Sequence, residues 1–270
     1  MIDITIGQFF PGRSVFHRMD PRMKLVLTLG YIIAIFIPQN WVGLAVAIGL
    51  LILSAALSRL PAKLFLKGLK PVIVIVIFTS LLNVLYIRTG VELVSFGFVH
   101  IYSGGLITAA FLGLRIICLV LGSSLLTYTT TPTDLTDALE RLLKPLKWIK
   151  VPVHELAMMM TIALRFIPTL VEETDKIMSA QKARGADMDS GGLIRRIKAL
   201  LPVLVPLFVS SFRRAYELAT AMECRCYRGG EGRTRMKQLH LAALDFTALA
   251  VFAAALAAII ALNFLLPPVW

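Results

Sequence analysis

Two arginines, Arg184 and Arg225, stand forty-one residues apart in matching settings. The first lies in the run Gln181-Lys182-Ala183-Arg184-Gly185, the second in Glu223-Cys224-Arg225-Cys226-Tyr227-Arg228-Gly229-Gly230. Each falls where a long helical pattern should stop, and Gly185 suits the left-handed cap that commonly ends a helix. A guanidinium is a rigid fork of donors that meets a carboxylate with two hydrogen bonds at once. The chemistry on offer is docking onto acidic groups, not bond making. A terminal arginine also complements its own helix dipole and last carbonyls, and one alone needs no further account. Two at the ends of successive helices read as a pair of equivalent plugs. They are Ala183, Arg184 and Gly185 in the first, and Cys224, Arg225 and Cys226 in the second. At the second end two stops stay open, one at Arg225 and one a turn later at Gly229-Gly230.

Other chemistries find no support. No G-x-x-x-x-G-K-[ST] occurs and no lysine precedes Ser or Thr, so the chain has no phosphate-binding loop. His17, His100, His154 and His240 are scattered, and Cys118, Cys224 and Cys226 are too few for a disulfide framework. Cys224 and Cys226, two apart on a helix, point away from each other. No metal site, cofactor or catalytic residue is expected. The net charge of +12 lacks the aromatic interleaving or recognition motif that nucleic-acid binding needs. Arg115 lies inside an apolar segment, where a substrate or relay role is the functional default. No acidic partner is visible at that depth, so an ordinary role, bound to carbonyls or to Asn83, is favoured. Asp245, near the start of the last apolar segment, is expected at the membrane interface.

Two long amphipathic helices must position the arginines. Leu156, Met160, Ala163, Ile167, Leu170 and Ile177 recur along one helical face, as do Ile194, Ile197, Leu201, Leu204, Phe208, Ala215, Leu218 and Met222. Arg165 interrupts the first apolar run, and Lys198 and Arg213 bound the second. Both arms are therefore expected outside lipid, crossing on a membrane surface with their stripes facing each other or the membrane domain. Pro168, Pro202 and Pro206 are expected to kink them.

The class follows from composition. A chain that is 57% apolar and 16% charged describes an all-α integral membrane protein. Five spans are expected: 25–37, 41–57, 71–87, 104–127 and 241–266. Residues 58–70 form a basic surface segment between the second and third, and 91–101 alternate like a hairpin around Gly97. Thr131-Pro132-Thr133-Asp134 reads as a cap opening a short helix striped with Leu135, Leu139, Leu142 and Leu146. The domains are then 1–130 with four spans, 131–240 with one short and two long amphipathic helices, and 241–270 with the last span. Four basic residues precede the first span, four lie in 58–70 and eighteen in 131–240, against Arg88 alone on the other side. The N-terminus and 131–240 are thus expected in the cytoplasm and the C-terminus outside, in a multi-pass cell-membrane protein. No cleavable signal peptide is expected.

The chain resembles the transmembrane T component of energy-coupling factor (ECF) transporters, importers of vitamins and metals in the ATP-binding cassette class. The likeness runs nearly end to end. It is carried by Ser14-Val15-Phe16-His17-Arg18-Met19-Asp20-Pro21-Arg22-Met23-Lys24-Leu25, by Thr131-Pro132-Thr133-Asp134-Leu135, by Ile162–Leu170 and by Ala180–Gly185. In that family two Ala-Arg-Gly motifs at the ends of coupling helices dock into grooves on two ATPase subunits. Arg184 and Arg225 carry over, with Cys224 and Cys226 replacing the second motif's Ala and Gly. The resemblance implies a non-catalytic scaffold in the lipid bilayer, coupling two ATPases that bind the ATP to a small substrate-binding membrane subunit, the S component. The alternatives are a dedicated cobalt, nickel or biotin permease and a secondary transporter, which should show inverted repeats. An intramembrane lipid enzyme built on Asp20 or Arg115 lacks a nucleophile–base pair. Met158, Met159 and Met160 suit either a surface that repacks against several partners or simple core filling.

Overall fold

The computed structural model describes residues 9–96, 99–186, 192–229 and 238–267. Gly97, Gly230 and the basic residues between 231 and 237 lie outside them. The described residues fall into two compact units, 7–138 with 238–270 and 139–237.

The first unit holds α1 (Val15–Arg18), α2 (Pro21–Ala34), α3 (Trp41–Ser58), α4 (Ala62–Tyr86), α5 (Ser103–Thr129), most of α6 (Pro132–Leu142) and α9 (Ala243–Leu265). Between α4 and α5, β1 (Glu92–Phe96) and β2 (Val99–Tyr102) form the expected antiparallel hairpin. Tyr31, Ile35, Leu44, Leu51, Phe111, Cys118 and Ile259 make the core where α2, α3, α5 and α9 meet. Gly122 allows α5 its close approach to α2, since a Cβ there would lie 2.5 Å from the Tyr31 ring.

Polar links tie the helix ends together. Asp20 caps α2, accepting the Arg22 N–H at 2.8 Å and holding its guanidinium at 2.7 Å. Its own N–H donates to Asp245 at 3.0 Å, and Asp245 also accepts the Ala242 N–H at 2.8 Å. Asp245 is completely buried among its neighbours in the first turn of α9, where two backbone donors hold it. Arg115 follows the ordinary reading. It donates to the Pro38 carbonyl at 2.6 Å and lies over the Phe111 ring at 4.9 Å, while the Asn83 amide donates to Thr79 instead.

Five described helices are long and apolar enough to cross a membrane, α3, α4, α5, α9 and, in the second unit, Val153–Ala183. Their number agrees with the sequence reading and their membership does not. The 14 residues of α2 rise only about 21 Å, short of the roughly 30 Å hydrocarbon layer. Val153–Ala183 qualifies because the single Arg165 does not outweigh the Leu, Met, Ile and Phe around it. Length and composition alone make it a candidate, and the expectation that this arm lies outside lipid stands. The basic surface segment also does not stand apart: α4 runs from Ala62 to Tyr86 straight through Pro71. One missing hydrogen bond does not end a long helix whose other bonds are intact, and membrane helices tolerate such prolines.

The second unit starts within α6. Thr131 caps α6 as expected, accepting the Asp134 N–H at 3.1 Å. A 3-10 turn (Lys144–Ile149) leads to α7 (Val153–Ala183) and α8 (Leu193–Cys224). Both run continuously through Pro168, Pro202 and Pro206. His154 Nδ1 meets Glu140 Oε1 at 2.9 Å, fixing the start of α7 against α6.

Candidate functional site: the two arginine ends

Ala183 is the last residue of α7 and Arg184 its cap, with φ −84° and ψ 8°. Gly185 then turns left-handed at φ +83°. The Gly185 N–H donates to the Lys182 carbonyl and the Ala186 N–H to the Gln181 carbonyl, both at 3.0 Å. This pair of reverse bonds is a Schellman motif, in which backbone donors satisfy the orphan carbonyls at the end of a helix.

The end of α8 repeats it residue for residue. Cys224 is the last helical residue, Arg225 caps at φ −91° and ψ 15°, and Cys226 takes the left-handed position at φ +56°. The Cys226 N–H donates to Glu223 at 2.8 Å and the Tyr227 N–H to Met222 at 3.0 Å. Of the two stops left open by the sequence, the helix uses the one at Arg225. A cysteine occupies the position where φ is positive, which composition gave no reason to expect.

Both arginines and both cysteines are exposed, and the cysteines are free thiols. Neither guanidinium has an ion-pair or hydrogen-bond partner among the described residues. The carbonyls that a capping arginine would serve are already taken by the backbone. What remains at each end is a solvated fork on a fixed turn.

The two arms lie antiparallel. Tyr227 Oη, just past the end of α8, donates to Met158 Sδ near the start of α7 at 3.1 Å. In the middle, the Glu173 carboxylate of α7 accepts from Ser210 Oγ and, at 2.7 Å, from the Arg214 guanidinium of α8. At the other end Gln181 reaches the Pro202 carbonyl at 3.5 Å. The arginine ends are therefore not brought together. From Met158 to Gln181, α7 rises about 35 Å, and one arginine stands at each end of that length.

Glu173, Ser210 and Arg214 were missed by sequence reasoning, because a serine and two charges at amphipathic spacing look like a solvated face. Their one signal is that Ser210 and Arg214 are a helical turn apart, able to reach a common acceptor. The apolar stripe of α8 is not covered by α7 either. Ile194, Ile197, Leu201, Leu204 and Phe208 are all more than half exposed, so of the two expected partners, the other stripe or the membrane domain, α7 does not cover this stripe. Antiparallel pairing directs Val203 and Ser210 inward instead.

Fold and site together define a class: an all-α membrane protein carrying two long paired helices with twin arginine turns. The family model described as "Cobalt transport protein" matches residues 12–236. The chain is 54% identical over 248 residues to the energy-coupling factor transporter transmembrane protein EcfT of Clostridium kluyveri, covering 91% of this chain and 92% of that one. It is 55% identical over 243 residues to EcfT of Ruminiclostridium cellulolyticum, with 90% and 91% covered. To EcfT of Bacillus subtilis it is 51% identical over 240 residues, with 88% and 90% covered. The chain belongs to this CbiQ/EcfT family of transporter transmembrane components.

Proposed function

We propose that the chain is the scaffold of an ATP-driven energy-coupling factor importer of vitamins or other micronutrients. In this reading each arginine turn plugs an acidic groove on a separate ATPase, and a small membrane subunit, not this chain, binds the substrate. The observation that carries it is the duplicated cap. Two helices of unlike sequence end in the same turn, each displaying an exposed guanidinium at opposite ends of one antiparallel pair. A separation of about 35 Å suits two subunits side by side better than one. The exposed stripe of α8 supplies an apolar surface for the substrate-binding subunit, through which ATPase motion would be passed on. The chain itself performs no catalysis in this account, and ATP is bound by its partners. The arms lie on the cytoplasmic side, where the basic residues concentrate.

Co-purification tests the reading. The tagged full-length chain, expressed with its genomic neighbours, should retain two ATPases and a small hydrophobic membrane protein. A secondary transporter would purify as a functional unit without ATPases, and that outcome would refute the scaffold.

A further inference from the structure

The first unit contains a half-open cavity of about 210 Å³ lined by α1, α2, α3, α5 and α9. Its wall comes from matching ends of these helices: the first turns of α2 and α9 and the last turns of α3 and α5. It therefore sits toward one membrane face. Its mouth is apolar, since the lining residues Val15, Leu53 and Leu57 are exposed.

The polar atoms on the wall are largely spent on the chain itself. Ser54 donates to the Leu50 carbonyl at 2.8 Å, Thr129 to Leu125 at 2.7 Å and Thr247 to Leu244 at 2.8 Å. Tyr31 Oη donates to Ala47 at 3.4 Å. A polar substrate entering here would lose its hydration and find few free partners, which is costly. Apolar cavities of about 150 Å³ stay dry and accept hydrocarbon. Among the described residues Lys24 is the single cationic side chain on the wall; it is buried, faces the carboxylates of Asp134, Asp245 and Asp20, and donates one of its three ammonium protons to the Thr129 carbonyl at 2.9 Å. It lies at the outer end of α2, while Tyr31 lies two turns deeper.

We infer that this cavity holds one acyl chain of a bilayer glycerophospholipid, its head-group end at Lys24 and its tail toward Tyr31 and Leu51. The adjoining phase in a membrane is lipid, the mouth presents hydrocarbon to it, and an uncharged ester oxygen beside Lys24 would not be repelled by the carboxylates that face it. The site is independent of the arginine turns and belongs wholly to the first unit.

The test uses the full chain in membranes containing a phospholipid with a diazirine at the tail of one acyl chain. After illumination, labelled peptides are mapped by mass spectrometry. Leu125 is buried in the protein and lines the cavity, so bulk lipid around the bundle should not reach it. Label at Leu125 or Tyr31 is expected, and it should fall at least about tenfold in Ala248→Phe, which fills the space. Label on the outward residues Val74 and Phe78 should not change. If Ala248→Phe does not accumulate, Ser54→Leu fills less and should lower the same label. Labelling confined to outward residues in the wild type, or cavity label unchanged in a folded filled variant, would overturn the inference.

Discussion

Cys226 and Gly185 occupy the same left-handed turn, yet only one of them is a residue that favours it. For a residue with a Cβ that conformation costs about 1–2 kcal/mol. A Cβ added at Gly185 would meet nothing within 4 Å, so Gly185→Ala isolates the conformational cost. It should destabilise the folded chain by about 1 kcal/mol, while Cys226→Gly should stabilise it by a similar amount. Thermal unfolding of the purified protein measures both, and two shifts of the same sign would contradict the shared geometry. The comparison also shows what could be read in advance. Arg184 and Gly185 announced a helix end through residue types suited to it. The second end was legible at Arg225 but not at its stop, because a cysteine carries no preference for positive φ and Gly229-Gly230 offered a rival.

The same contrast holds among the elements. The cap at Thr131, the hairpin and the long arms follow from local patterns, since capping and periodicity act within a few residues. Whether α2 or α7 has the composition of a span depends on segment length and on one arginine in an apolar run, and local pattern alone does not decide either. The burial of Asp245 depends on residue 20, more than two hundred positions earlier, and no local pattern encodes it. Glu173 is another such long-range feature. It joins the middle of α7 to Ser210 and Arg214 of α8, and with one fifth of its side chain exposed the pair is expected to couple by about 1 kcal/mol. A double-mutant cycle of Glu173→Gln and Arg214→Met, read by thermal unfolding, should return that coupling. If the pin keeps the arms in register, each single variant should also impair transport more than assembly. Additive effects with full transport would remove Glu173 from the account.

At the scale of the molecule, basic residues set the expected orientation, with the arms inside and the hairpin outside. Val91→Cys and Ala186→Cys, placed in a chain whose native cysteines are serines, should react with impermeant reagents from opposite sides of the membrane. Reaction from the same side would defeat that topology. The central claim is that the two guanidiniums are docking plugs, not caps, and retention of the ATPases measures it. Each lost contact should remove about 1.5–3 kcal/mol, so Arg184→Ala or Arg225→Ala should lower transport while the complex persists. The double reversal Arg184→Glu with Arg225→Glu sets like charges against acidic grooves at both ends. Pull-down by that correctly folded variant should recover neither ATPase at wild-type level. Capping alone predicts losses of about 0.3–1 kcal/mol in the chain's own stability, and full retention of both ATPases by the double reversal would contradict the account.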